Sequence, residues 1–222
     1  MARLFENDSL ELIGRWGVEV PAFEVAESPE EVAAALERLG RRVVLKALVP
    51  VGGRGKAGAV KLVSSPEEAR EEGGRILGLT VHRFPVKRLL VMEALEIRRE
   101  FFLSITFDPK HKSPLVLFSA EGGIDIEELV ADHPEKIFEF PVDITRGLEA
   151  RRGSDLAGRA GLAEDASLLC GRAMQGLYEL FRACDCRMVE VNPLAELAGG
   201  RLVAGSGVVN LDEQALHRHP DL

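Results

Sequence analysis

Apolar and polar positions along the chain switch between two periods, and the switches mark out its elements. Val32, Leu36 and Leu39 fall at i, i+4 and i+7 behind Ser28-Pro29-Glu30-Glu31, and Gly40 follows them. Ser at the N-cap, Pro at the first helical position and Glu three residues after the cap form a capping box. Its acids lie at the positive end of the helix dipole, so the pattern predicts a helix that stops at Gly40. Ser65-Pro66-Glu67-Glu68 repeats the phrase and predicts a second helix ending near Gly78, weakened by Gly73-Gly74. Nothing after the shared phrase recurs, so it is no internal repeat. Between these helices, β-branched residues predict strands over 42–49 and 59–63 on either side of a glycine-rich loop, and a further strand over 89–92. The first hundred residues therefore read as a small α+β unit.

Further on, the pattern predicts strands over 101–107, 114–119 and 137–142, a short helix over 155–162 and a longer one over 166–182. Cys170, Met174, Leu177 and Phe181 line one face of the longer helix. A stripe of that kind belongs to a core rather than to a cofactor. Two last strands, over 188–192 and 201–204, flank a polar turn. No linker or low-complexity segment interrupts this order.

Composition narrows the class. The 222 residues allow one large domain or two small ones, and 29% charged with 46% hydrophobic residues is a globular balance. A net charge of −8, from 28 Lys and Arg against 36 Asp and Glu, argues against nucleic acid or an anionic membrane as partner. No uncharged run approaches the roughly eighteen residues that a membrane span needs, and the N-terminus lacks a signal peptide's apolar stretch. Cys170, Cys184 and Cys186 are odd in number and show no CxxC spacing, which argues against a disulfide scaffold or structural zinc site and fits a reducing cytoplasm. His82, His111, His133, His217 and His219 show no metal-ligand spacing. Glycine is in excess, at 22 residues, and four of them fall between Gly52 and Gly58.

That loop, Gly53-Arg54-Gly55-Lys56-Ala57-Gly58, contains GxGxxG, a weak signal alone. A dinucleotide fingerprint needs a helix directly after it, and a Walker A loop needs Ser or Thr after Gly-Lys; here a strand and Ala57 follow instead. Strand, glycine loop and strand resemble the flap that kinases fold over ATP phosphates, where absent side chains let backbone N–H groups approach the oxygens. The plain alternative is a glycine-rich hairpin turn. Four glycines and two cations exceed what such a turn needs. Lys46, inside an apolar strand, is costly there unless it snorkels or meets an anion, which a nucleotide phosphate would supply. Kinase catalytic-loop and DFG signatures are missing. At a predicted strand end, Glu190 and Asn192 share a face, and a carboxylate with an amide oxygen suits Mg²⁺ beside phosphates; two solvent-facing polar residues are the alternative. Glu121-Gly122-Gly123-Ile124-Asp125-Ile126-Glu127 by itself is a strand-to-helix turn.

In order along the chain stand Lys46 with Gly52 to Gly58, Glu93 to Glu100, Glu121 to Glu127, Glu190-Val191-Asn192-Pro193-Leu194 and Ala215 to Leu222. Together they strongly resemble the ATP-grasp domain of the succinyl-CoA synthetase and malate–CoA ligase β-subunit family, from about Leu10 to Leu222. The resemblance implies an α/β (α+β) ATP-grasp fold whose two subdomains clamp a nucleotide, the smaller over 21–95 and the larger over 1–20 and 96–222. It implies an acid–CoA ligase, forming a carbon–sulfur bond, in which ATP or GTP with Mg²⁺ phosphorylates a histidine on an α-type partner subunit. The phosphoryl group then activates a carboxylate, and CoA displaces it. By position, Lys46, Gly53, Arg54 and Gly55 would meet phosphates. Glu93, Ala94 and Leu95 would form the adenine-side hinge, with Glu100 nearby. Asn192 would be a Mg²⁺ ligand, with Ser206 at the second ligand position, and Glu190 would orient the incoming histidine. The chain is expected to stop where the family continues into a separate CoA-ligase domain.

Four departures from the family pattern stand out. Ser206-Gly207-Val208 replaces a stretch whose Asp is the second Mg²⁺ ligand. Pro50 replaces a histidine before the glycine loop. The hinge is one residue short, and Glu6-Asn7-Asp8-Ser9-Leu10 replaces the usual Glu-Tyr-Gln-Ala-Lys. The first reading is therefore a nucleotide-binding β-type subunit. The alternative is a non-catalytic relative with a regulatory or assembly role, and a third is a fragment of a longer chain. ATP is not distinguished from GTP, nor succinate from malate.

Overall fold

In the computed structural model, residues 2–40, 42–110, 112–124 and 126–222 are described, so Asp125 of the second glycine motif and His111 lie outside them. Along the chain come β1 (Ala2–Arg3), α1 (Glu6–Arg15), β2 (Phe23–Ala26), α2 (Pro29–Leu39), β3 (Val43–Ala47), β4 (Val60–Val63) and α3 (Pro66–Leu77). Then follow β5 (Thr80–Val81), β6 (Phe84–Pro85), β7 (Leu89–Glu93), β8 (Ile97–Asp108), β9 (Ser113–Ser119), α4 (Ile126–Asp132) and β10 (Phe138–Pro141). The last elements are α5 (Ala150–Arg159), α6 (Glu164–Ala183), β11 (Cys186–Leu197), β12 (Leu202–Ala204) and β13 (Gly207–Leu211). Among the described residues no helix is long and apolar enough to cross a membrane.

The chain divides into two units. One comprises the residues up to Leu4, Asp8–Val20 and Glu96–Leu222; the other comprises Phe5–Asn7 and Pro21–Leu95. In the second unit the strands form an antiparallel sheet of order β2-β7-β3-β4, with β3 and β4 as a hairpin that sets Lys46 opposite Val60. Both expected capping boxes are present. Ser28 Oγ accepts from the Glu31 N–H at 3.3 Å and Ser65 Oγ from the Glu68 N–H at 3.2 Å. The two glutamates reach back to the N–H groups of Glu27 and Ser64 at 2.7 and 2.8 Å. Helix α3 runs through Gly73-Gly74 undisturbed. A Cβ at Gly73 would stand 3.1 Å from Val32 Cγ2, so glycine seats α3 closely on α2. Val32, Leu45, Ile76 and Val91, all at 0% exposure, anchor the core between this sheet and its helices.

In the first unit the sheet order is β1-β13-β11-β8-β9-β10, with β12 also on β11. The α6 stripe of Cys170, Met174, Leu177 and Phe181 is buried in the core, as its spacing predicts. Three expectations need correction. Residues 6–15 form α1, which the sequence pattern did not single out, although Leu10, Leu12 and Ile13 on it are buried. The helix expected over 155–162 is α5, which starts earlier and ends at Arg159, before Gly161 at φ +88° turns the chain. The strand expected to end at Asn192 runs on: β11 continues to Leu197, with Leu194 and Ala195 fully buried, and the expected turn is confined to 198–200. Pro193, after a cis peptide bond, sits where the β11–β8 register shifts between Val191 and Leu194. At such a bulge the missing proline N–H costs no ladder bond.

Candidate functional site

In the second unit the charged centre is built on the β3–β4 hairpin. Strand pairing buries the Lys46 side chain, which is 8% exposed, and its Nζ donates to Glu6 Oε1 at 3.0 Å. Arg54, at the entry of the glycine loop, donates from Nη1 to Glu6 Oε2 and to the Ala47 carbonyl at 3.2 Å. Two cations from one hairpin thus share a single carboxylate. Burial opposes the charge of Glu6, but Lys46 and Arg54 outweigh it and hold the carboxyl down at about 2. Burial pulls Lys46 below the ordinary lysine range, and Glu6 pushes back. The anion that Lys46 requires is therefore already supplied by the protein. Sequence reasoning missed Glu6 as its source; the signal available was an acid at the start of an amphipathic segment.

The glycine loop is partly self-bonded. The N–H groups of Ala57, Gly58 and Ala59 donate to the carbonyls of Gly53, Gly55 and Arg54 at 3.1, 3.0 and 2.9 Å. Those bonds use the exit half of the loop; Gly53 and Gly55, the glycines expected to cover phosphates, are exposed in its entry half. Glu93 closes β7 with an exposed side chain, and its N–H donates to the Ala22 carbonyl at 2.9 Å. Ala94 donates to the Arg42 carbonyl at 3.1 Å, and Ala94 and Leu95 are half-buried.

The first unit holds Glu100, Glu190, Asn192 and Ser206. Asn192 Oδ1 accepts from the Gly123 N–H at 2.7 Å, and its Nδ2 donates to the Ile124 carbonyl at 3.0 Å. One side chain thus fixes the turn of the second glycine motif. Glu100 lies against the same turn: the Gly122 N–H donates to the Glu100 carbonyl at 2.9 Å, and a Cβ at Gly123 would run into the Glu100 carboxylate. A Cβ at Gly122 would run into the Phe101 carbonyl, so that glycine is required by close approach, and Gly123 at φ +71° by its left-handed backbone. Burial raises the Glu100 carboxyl above the ordinary range. Glu190, half-buried on β11, is also raised, first by burial and then by the charge of Glu127, with Arg3 opposing. Asn192 therefore bears on Gly123 and Ile124, and Glu190 on Glu127. Ser206 lies in the bend before β13, and its backbone carbonyl accepts from the Asn192 N–H at 3.3 Å.

As a magnesium site this donor set is deficient. Among the described residues no three His, Cys, Asp or Glu side chains gather to hold a metal. The Asn192 amide and the Ser206 hydroxyl are both neutral, whereas Mg²⁺ takes one or two carboxylates beside phosphate and water. The residues at 192 and 206 do not fit a protein-held Mg²⁺ ion.

Comparison with known proteins adds the following. A family described as the ATP-grasp domain matches residues 3–196. The chain is 42% identical over 219 residues to the ADP-forming succinate–CoA ligase subunit β of Rubrobacter xylanophilus, covering 99% of this chain and 57% of that protein. It is 40% identical over 219 residues to the GDP-forming succinate–CoA ligase subunit β of Thermus thermophilus, covering 99% of this chain and 58% of that protein. The chain thus spans less than two thirds of the length of these relatives. Among solved structures, acetyl-coenzyme A synthetase 1 of Ca. Korarchaeum cryptofilum, in complex with coenzyme A and Ca-AMPCP, superposes with a TM-score of 0.78 at 19% identity, over 95% of this chain and 93% of that one.

Proposed function

Because the chain belongs to the ATP-grasp domain family, we propose that it is the nucleotide-binding part of a β-type subunit of an ADP- or GDP-forming succinate–CoA ligase. The observation that carries this reading is the Lys46–Arg54 cation pair at the base of an exposed glycine loop. In it, phosphate oxygens of ATP or GTP meet Lys46, Arg54 and the backbone of Gly53 to Gly55, and the adenine or guanine meets Glu93, Ala94 and Leu95. Phosphoryl transfer rests on positioning and charge neutralisation, which cations at the phosphates provide. The terminal P–O bond of the nucleotide breaks, a P–N bond forms to a histidine of an α-type partner, and the nucleoside diphosphate leaves. Glu190, whose carboxyl keeps its proton to higher pH than usual, would receive and orient that imidazole. Carboxylate activation and thioester formation with CoA would follow on the CoA-ligase part. The free thiols of Cys170, Cys184 and Cys186 accord with a reducing compartment, and the proposal places the protein in the cytoplasm.

Ser206 supports a second reading, a non-catalytic relative that keeps nucleotide affinity and serves regulation or assembly. Magnesium separates the two. The family's reaction uses it, while this donor set gives it a neutral amide and a neutral hydroxyl. The test is titration of the full chain with ATP, with and without Mg²⁺, followed by an assay of an added α-type partner for phosphohistidine. Magnesium-dependent binding with a phosphohistidine supports the ligase reading. Binding without transfer supports the non-catalytic one, and no binding at millimolar ATP refutes both.

A further inference from the structure

Glu6 is buried, touches two groups of the candidate phosphate site, and has no role in the function proposed above. We propose that Glu6 is a positioning residue that holds the Lys46 ammonium and the Arg54 guanidinium side by side as one preformed phosphate-binding pair. The proposal rests on the reading that nucleotide phosphates meet those two cations. Its geometry is specific. Each carboxylate oxygen takes one cation, Oε1 the Lys46 Nζ at 3.0 Å and Oε2 the Arg54 Nη1. Among the described residues both hydrogen bonds of Arg54 use Nη1, which leaves Nε and Nη2 for a phosphate oxygen. The trio carries a net charge of +1, and without the carboxylate two like charges would stand together in a site where Glu6 is 6% and Lys46 8% exposed.

Burial alone would drive Lys46 toward its neutral form, which attracts phosphate far less. Of the charged groups acting on Lys46, Glu6 from α1 favours the ammonium and Arg54 from the loop opposes it. Removing the Glu6 charge takes away a group that favours the ammonium, while burial and Arg54 still oppose it. Lys46 would then lose its proton at lower pH, and Arg54 would keep only its bond to Ala47. A residue that merely filled space would produce neither change.

The test uses the full chain as wild type, Glu6→Gln and Glu6→Asp, with two readouts. The first is ATP affinity by calorimetry from pH 6 to pH 10. The second is the titration of the Lys46 ammonium followed by NMR in the absence of nucleotide. Glu6→Gln should weaken ATP binding about tenfold or more, the loss of one charge-assisted contact. Its affinity should also fail at lower pH than the wild type's. Its Lys46 titration should move down, and Glu6→Asp should recover most of both effects. Equal Lys46 titration in wild type and Glu6→Gln overturns the proposal, and so does unchanged or tighter ATP binding by Glu6→Gln. Should Glu6→Gln fail to fold, Glu6→Ala takes its place: weaker ATP binding with a lowered Lys46 titration supports the proposal, and wild-type values for both overturn it. A wild-type chain that binds no ATP defeats the nucleotide reading, while the NMR titration still judges the Glu6–Lys46 coupling.

Discussion

Acid should dissect the buried charge cluster, and Glu6→Gln is the perturbation that isolates it. The Glu6 carboxyl is held at about 2, against an ordinary 4.5. A folded-state value below the unfolded one means a contribution that is complete above 4.5 and is lost as pH falls toward 2. The gap corresponds to about 3 kcal/mol at neutral pH, and the burial cost carried by Lys46 makes that an upper figure. Glu6→Gln lacks the contribution at every pH. The stability difference between wild type and variant should therefore be largest near pH 7, shrink steadily through the acid range, and approach zero where wild-type Glu6 is itself protonated. Urea unfolding by far-UV circular dichroism at several pH values measures the difference. Amide exchange in β3 and β7 reports the same quantity within the unit that contains Glu6. A difference that stays constant from pH 7 to pH 3 would refute the reasoning, because the variant would then act through packing rather than charge.

Other substitutions test the second glycine motif and the metal question. Asn192→Ala removes two hydrogen bonds from the 123–124 turn, and it should cost about 1–3 kcal/mol with faster exchange of the Gly123 amide; unchanged exchange would count against the clamp. Gly122→Ala sets a Cβ against the Phe101 carbonyl and should cost about 1–3 kcal/mol, read as a lower Tm; a wild-type Tm would show that the turn shifts freely. Ser206→Asp supplies the carboxylate that the donor set lacks and should make ATP binding more dependent on Mg²⁺, measured as the ratio of affinities with and without the ion. An unchanged ratio would place the deficiency elsewhere.

Local signals carried much of the architecture. The two capping boxes at Ser28 and Ser65 stated their own helices, because a cap is a contact among residues three or four apart. The Lys46 problem was also legible: a lysine within an apolar strand needs an anion. Which anion was not legible, since Glu6 lies 40 residues away and only tertiary packing brings it to Lys46. Gly73-Gly74 looked like a weakness in α3 because propensity counts backbone entropy and is blind to Val32 on the neighbouring helix. Pro193 looked like a strand end for the same reason: the register shift that accommodates it is a property of the pairing with β8. Of the candidate site residues, Asn192 changed most in meaning. The sequence offers an amide at a strand end, while the structure shows both ends of that amide engaged on Gly123 and Ile124.

The two readings of function differ in charge rather than in shape. A fold shared at 19% identity with a CoA synthetase does not decide activity, because few residues separate an active site from a silent one on the same scaffold. The residues proposed to meet phosphates keep their charges: Lys46 and Arg54 are present, and both bond to Glu6. The residues at the proposed metal positions do not, because Ser206 offers neither the charge nor the geometry of a carboxylate. Phosphates bind to cations and backbone N–H groups whether or not transfer follows, so nucleotide affinity is expected under both readings and cannot choose between them. Transfer additionally demands that charge developing on the leaving diphosphate be neutralised, and that step is where a missing carboxylate acts. The discriminating measurement is therefore phosphohistidine formation on the partner, compared between wild type and Ser206→Asp. Transfer by the wild type would mean that positioning by Lys46 and Arg54 suffices with a metal held chiefly by the nucleotide. Transfer by Ser206→Asp alone would locate the loss of catalysis in a single carboxylate.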